Sequence, residues 1–332
     1  MKYTYVIPTV ILLCLAVGLV VLLVVDWSEL SVPNPRSGTE PPAGSVPIVT
    51  RASPPALTHR PSSPITQPAR ALTDEQFTAK LDQVRRQLGP GFQVEIVKPF
   101  VVAGDLSAED FDRICQGTIR WAVDMLNKDF FSEPLQQIIT IYLFRDQQSY
   151  HQHSRSLFAQ EPTTPYGYYL PQHQALVMNI ATGTGTLVHE MVHPLLAADF
   201  PQAPSWFDEG LASLYEQCRQ RDEHIVGLLN WRLPVLQDGL RAGHFVALEK
   251  LLATSRDEFY DDPHGMHYAQ ARYLCYYLQE QRALRSFCRQ FKKNCSTDPT
   301  GVATLLRITG QSSLKQLETQ WLQFLAPLRY EP

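Results

Sequence analysis

The pattern of apolar and polar positions divides the 332-residue chain into three segments. Residues 6–25 form an uncharged apolar run of about the length that an α-helix needs to cross a bilayer. Residues 27–71 are rich in Pro, Ser and Thr and show neither a strand period nor a helix period, so they bury too little surface to fold. We therefore predict a transmembrane anchor over 1–26, a disordered stalk over 27–71 and a folded domain over 72–332.

Within the folded domain, the pattern predicts strands and helices first and helices alone afterwards. The first half reads as helix 74–88, strand 92–97, helix 107–128, strand 138–144, helix 146–158, and strands 167–170 and 175–179. Everything after about residue 184 reads as helix, with helices over 184–199, 205–219, 266–282, 284–293 and 312–326. The expected fold class is α+β, with a small mixed sheet and a mostly helical C-terminal half.

Charge bears on two questions, nucleic-acid binding and the orientation in the membrane. The 29 Lys and Arg residues against 33 Asp and Glu residues give a net charge of −4, which is far from the basic balance typical of nucleic-acid binding and argues against a nucleic-acid partner. Lys2 precedes the apolar run, whereas Asp26 and Glu29 follow it. This bias predicts a single-pass protein with a cytoplasmic N-terminus and a periplasmic or extracellular domain.

The six cysteines show no C-x-x-C pair, so neither a zinc ribbon nor a disulfide-dense scaffold is indicated. Cys288 and Cys295 are close enough in sequence for a disulfide in an oxidising compartment. The sequence does not indicate an oligomeric state.

One segment carries a pattern typical of metal chemistry. His189-Glu190-Met191-Val192-His193 is an H-E-x-x-H motif within the helix predicted over 184–199. Residues i and i+4 share one helical face, so the two imidazoles can bind one zinc ion. The ion lowers the pKa of a bound water toward ~7, and Glu190 is placed to accept its proton as general base. This chemistry hydrolyses an amide without a covalent intermediate.

A third zinc ligand is needed, and two carboxylates are candidates. Glu209 lies on the next predicted helix, and the intervening chain is long enough for that helix to return antiparallel to the motif. Gly210 and Ala212 leave room for the two helices to pack closely. Asp199 follows His193 at the spacing of the metzincin third ligand, but Leu196 stands where that class needs a glycine. We therefore predict Glu209 as the ligand and Asp199 as a helix-end or outer carboxylate.

The motif together with Trp206-Phe207-Asp208-Glu209-Gly210-Leu211-Ala212 resembles the gluzincin zinc metallopeptidases, in particular the peptidase-MA-like families with their W-x-x-E-G-L-A helix. The resemblance covers about residues 92–327. It implies a zincin-like catalytic domain that binds one zinc ion through His189, His193 and Glu209 and acts on peptide or protein substrates.

The resemblance implies one further feature, and two other residues bear on the same site. The strand over 174–179 would lie along the cleft edge and pair with an extended substrate. Tyr268 would place its phenol near the oxyanion, with a core aromatic as the alternative. The chain departs from the family at Ser213, which stands where some gluzincins carry an outer aspartate for a ligand histidine.

Two functions from different classes follow. The first is a membrane-anchored zinc metallopeptidase. The second is a catalytically silent relative, a binding or sensory ectodomain that keeps the fold. The presence of Glu190 beside His189, His193 and Glu209 favours the enzyme, because a silent site has no need of a general base.

Overall fold

The computed structural model describes residues 71–331. The anchor predicted over 1–26 and nearly all of the stalk predicted over 27–71 lie outside the described residues. Within residues 71–331, every helix is too short or too polar to cross a bilayer.

The first helix, α1, spans Asp74–Leu88 as the sequence predicts. Thr73 and Gln76 form a capping box, in which each side chain hydrogen-bonds the backbone N–H of the other residue. Gly89 follows at φ 79°, a left-handed value that a glycine adopts without strain, and the helix ends there.

The sheet has five strands in the order β1-β2-β3-β5-β4. The strands are β1 Gln93–Val97, β2 Phe100–Gly104, β3 Ile139–Phe144, β4 Gly167–Leu170 and β5 Ala175–Asn179. β2, β3 and β5 run parallel to one another, and β1 and β4 are antiparallel edge strands. The mixed sheet is as expected, except that β2 lacks a sequence prediction because its uniformly apolar residues do not alternate.

The prediction that strand 174–179 forms the cleft edge is wrong. β5 pairs with β3 on one side and with β4 on the other, so both of its edges are occupied. The outer strand on this side of the sheet is β4.

Alternation along the strands sends side chains to both faces of the sheet. On β3, Tyr142 and Phe144 join one apolar cluster, whereas Ile141 and Leu143 join the other. The first cluster packs under α1 and α4, which spans Gln147–Phe158. The second packs under the remaining helices, beginning with α2 Ala108–Ile114 and α3 Trp121–Asp129, which one π-helical segment joins. Both faces are therefore covered, and the sheet forms a rigid base.

The second half begins with α5 over Gly185–Asp199 and α6 over Ser205–Leu214. The predicted helix 205–219 ends early, and a hairpin follows, formed by β6 Cys218–Arg221 and β7 His224–Gly227. The expectation that only helices follow residue 184 is therefore wrong here. The buried Arg272 explains the early end, because its Nε donates to the carbonyl of Ser213 and its Nη2 donates to the carbonyls of Leu214 and Leu228.

The remaining helices complete the second layer. They are α7 Arg232–Ala242, α8 Leu248–Leu252, α9 Arg256–Tyr260, α10 Met266–Glu280, α11 Leu284–Asn294, α12 Val302–Thr309 and α13 Leu314–Leu325. Gly210 allows a close helix contact, but its partner is α10 rather than α5. A Cβ on Gly210 would lie 2.8 Å from the carbonyl oxygen of Ala271. The absence of a side chain at Gly210 therefore lets α6 pack closely against α10.

The five cysteines within residues 71–331 are all free thiols. The disulfide suggested between Cys288 and Cys295 is not formed. Cys288 is buried on the apolar face of α11, and burial raises the pKa of its thiol to about 12. This thiol is therefore protonated at neutral pH.

Candidate metal centre

Helix α5 places both histidines of the motif on one face. The ring centroids of His189 and His193 are 4.9 Å apart, as expected for residues one helical turn apart. Both rings and the side chain of Glu190 are buried. The helix continues through Pro194 to Asp199, although proline removes one backbone hydrogen bond.

Glu209 reaches these imidazoles from α6. Its Oε2 lies 3.3 Å from Nε2 of His189 and 3.8 Å from Nε2 of His193. One ligand atom from each of the three residues can be chosen so that all lie within 4.8 Å of one another, and all three residues are buried. The structure thus brings together the three residues that the sequence predicts as ligands.

The outer nitrogens of both imidazoles face carboxylates. Nδ1 of His193 hydrogen-bonds Oδ1 of Asp208 at 2.7 Å, and Nδ1 of His189 lies 3.4 Å from Oε1 of Glu216. Carboxylates in this position fix the ring orientation and the tautomer of a metal-binding histidine. Ser213, which stands where some gluzincins carry an aspartate for this purpose, accepts a hydrogen bond from Arg272 through its backbone carbonyl.

Glu209 is itself held by a tyrosine that sequence reasoning missed. The hydroxyl of Tyr260 donates to Oε1 of Glu209 at 2.6 Å. Oε2 is left facing the histidines. No local pattern points to Tyr260, because 51 residues separate it from Glu209.

Tyr268, the predicted oxyanion-binding residue, lies in the first turn of α10 beside this group. Its ring centroid is 6.2 Å from that of Tyr260, and the guanidinium carbon of Arg232 lies 5.3 Å from its ring centroid. Tyr268 therefore lies beside Tyr260, whose hydroxyl donates to Glu209. The catalytic role of Tyr268 stays a prediction.

Asp199 serves the fold at the end of α5. Its Oδ1 accepts hydrogen bonds from the backbone N–H groups of Ser132 and Glu133, and Lys292 Nζ lies 3.0 Å from its Oδ2. Burial alone would raise the pKa of Asp199, but these hydrogen bonds and the lysine hold it below its ordinary value. Of the two roles predicted for Asp199, a helix-end carboxylate or an outer carboxylate of the metal site, these contacts support the first.

The donor set fits a divalent metal ion. Nε2 of His193 is buried and has no hydrogen-bond partner among residues 71–331. A buried polar atom in this state is costly unless it binds something. Two imidazoles and one carboxylate are a ligand set used by catalytic zinc sites, which keep a further position open. The buried group His189, His193 and Glu209 could therefore hold a metal ion.

The carboxylates around this group favour the protonated form of both imidazoles in the protein without metal. Burial would lower the pKa of His189, but the hydrogen bonds of Glu209 and Glu216 and the charges of Glu209 and Glu190 outweigh it and raise the pKa to about 10. Burial likewise opposes protonation of His193, whose pKa is raised by the charges of Asp208 and Glu209. Metal binding must displace such protons, because only the neutral imidazole is a ligand.

We expect a matching pH dependence of stability in the metal-free protein. The contribution of His189 is fully present below its ordinary pKa of 6.5 and is lost as the pH rises through about 10. The melting temperature in excess chelator should therefore fall between these values. His189→Gln should reduce the fall, because glutamine has no such titration. Equal pH dependence in parent and variant would contradict the expectation.

Comparisons with known proteins assign no family to this centre. No family model matches the chain, and no curated protein matches it. The chemistry of the centre is therefore argued from its residues: two imidazoles, a carboxylate between them, a carboxylate behind each imidazole, and Glu190 on the same helix.

Proposed function

We propose that the chain is a zinc metallopeptidase of the gluzincin kind, with a zincin-like catalytic domain. The observation that carries the proposal is the buried group of His189, His193 and Glu209, whose ligand atoms lie within 4.8 Å of one another. The H-E-x-x-H sequence and the W-x-x-E-G-L-A helix that supply these residues support the same class.

Zinc suits this donor set, because it accepts nitrogen and carboxylate oxygen ligands and imposes little geometry of its own. When bound, zinc would act as a Lewis acid that polarises the scissile carbonyl and lowers the pKa of water. Asp208 and Glu216 hold the imidazoles in orientation, and Tyr260 holds Glu209.

Glu190 follows His189 on the same buried helix and is proposed as the general base. Its carboxylate takes the proton from the attacking water and passes it to the departing amine nitrogen. This transfer lets the amide bond break without a covalent enzyme intermediate. Tyr268 is proposed to donate a hydrogen bond to the carbonyl oxygen as negative charge develops on it.

The proposed substrate is an extended peptide. β4 is the outer strand on its side of the sheet, and α5 packs against both β4 and β5. An added strand would pair with the outer edge of β4 beyond Gly167, whose backbone N–H and carbonyl already hydrogen-bond the Thr164 hydroxyl, close to the motif helix. β4 thus replaces strand 174–179 in this role. The apolar run at 6–25 supports a membrane anchor with the catalytic domain outside the cytoplasm.

The test is whether the full-length protein, solubilised in detergent, contains zinc and cleaves peptides. We expect about one zinc ion per chain by elemental analysis, and cleavage of an unbiased peptide mixture that stops on chelation and returns with zinc. His189→Ala with His193→Ala is the matched inactive control. Zinc at full occupancy without cleavage would support the silent binding ectodomain instead. Absence of stoichiometric zinc would contradict the metal centre itself.

A further inference from the structure

Glu216 links the end of α6 to the first half of the motif helix at two points. Its backbone carbonyl oxygen lies where Gly185 has no side chain, since a Cβ on Gly185 would be 2.2 Å from that oxygen. Its side chain faces Nδ1 of His189 at 3.4 Å, one turn further along α5. Backbone and side chain of Glu216 therefore contact the same face of α5.

Arg232, the first residue of α7, hydrogen-bonds the Glu216 carboxylate. Nη2 of Arg232 donates to Oε1 at 2.6 Å and Nε donates to Oε2 at 2.9 Å, a two-pronged geometry that fixes a carboxylate plane. The side-chain nitrogen of Asn230 also donates to Oε2, at 3.0 Å. The Glu216 side chain is 7% exposed, so water competes little with these partners.

Asn230 is itself fixed to the helical layer. Its backbone N–H donates to the hydroxyl of Tyr273 at 3.1 Å, and that hydroxyl donates back to the carbonyl of Asn230 at 3.2 Å. Tyr273 is fully buried on α10. The segment that carries the Arg232 and Asn230 donors is therefore hydrogen-bonded to α10.

We propose that Arg232 is a positioning residue for the metal centre, which acts through Glu216 to aim Nε2 of His189 at the metal. Two observations distinguish this role from a general structural one. The Arg232 guanidinium donates to both oxygens of the Glu216 carboxylate. Glu216 in turn meets the outer nitrogen of His189, whose inner nitrogen lies 3.3 Å from Glu209. The inference rests on the proposed zinc site.

The expected consequence is a loss of zinc affinity that Arg232 and Glu216 share. Loss of a carboxylate that orients a ligand histidine typically weakens metal binding by roughly 10- to 100-fold. Arg232→Met frees the Glu216 carboxylate from its fixed plane, and Glu216→Gln removes the charge behind His189. Because both changes release the same imidazole, their effects should not multiply.

The experiment measures zinc dissociation constants of the full-length protein by competition with a chromophoric chelator. Arg232→Met and Glu216→Gln should each weaken binding by roughly 10- to 100-fold, and the double variant should be no weaker than Glu216→Gln alone. Arg232→Lys, which keeps the charge, should recover part of the loss. Lys292→Met is the control, since it breaks a contact with the buried Asp199 at the far end of α5 and should leave zinc affinity unchanged.

Two outcomes would overturn the proposal. Single variants that bind zinc as tightly as the parent would show that the imidazole needs no such support. Losses that multiply in the double variant would show that Arg232 acts by another route. The conservative Glu216→Gln and Arg232→Lys keep the test available if Arg232→Met does not fold. The expected affinity pattern in a protein that cleaves no peptide would refute the peptidase and leave the positioning role standing.

Discussion

Glu190→Gln is expected to retain zinc and to lower peptide hydrolysis by about 10²- to 10⁴-fold, the usual contribution of a general base. Glutamine keeps the shape and burial of the side chain but cannot accept the proton of the attacking water. Glu190 is not one of the three residues grouped as ligands, so the zinc content should equal that of the parent. The measurement is kcat on a cleaved peptide, with zinc determined on the same sample.

The matched control is Glu249→Gln, which makes the same chemical change at an exposed position of α8. It should leave both zinc and turnover unchanged. If Glu190→Gln turns over at the parental rate, another group activates the water. If it loses zinc, Glu190 contributes to metal binding in addition to His189, His193 and Glu209.

Glu209→Ala is expected to lose zinc at chelator concentrations that the parent tolerates. Removing this carboxylate leaves two neutral imidazoles to hold a divalent ion, and it also removes the acceptor of the Tyr260 hydroxyl. Zinc content after identical dialysis against a graded chelator series measures the effect. Hydrolysis should fall with the zinc content.

Asp199→Ala gives the contrasting result. The sequence alone allows an outer role for Asp199 at the metal, but the structure ties its carboxylate to Ser132, Glu133 and Lys292. We therefore expect parental zinc content and a free energy of unfolding lower by about 1–3 kcal/mol, because hydrogen bonds to a buried charged group are lost. Zinc-loaded Glu209→Ala beside zinc-free Asp199→Ala would move the assignment to the metzincin geometry.

Local signals account for much of the agreement between sequence and structure. Helix α1 has its predicted bounds because Thr73, Gln76 and Gly89 specify its ends within one turn of the chain. Strands β4 and β5 also have their predicted bounds, Gly167–Leu170 and Ala175–Asn179. Where the determining residue is distant the prediction fails, as for the end of α6, which Arg272 fixes from α10.

The sequence by itself determined the α+β class and the candidacy of Glu209 on the following helix. It also determined the helix that carries His189 and His193, because helical spacing fixes which side chains share a face. Only the tertiary structure decided that β4 rather than β5 is the outer strand, and that Asp208, Glu216, Tyr260 and Arg232 surround the ligands. Strand order depends on how crossover connections pair distant segments, and hydrogen-bond partners depend on which elements meet. Local periodicity contains neither, because it describes a single element and not its neighbours in the fold.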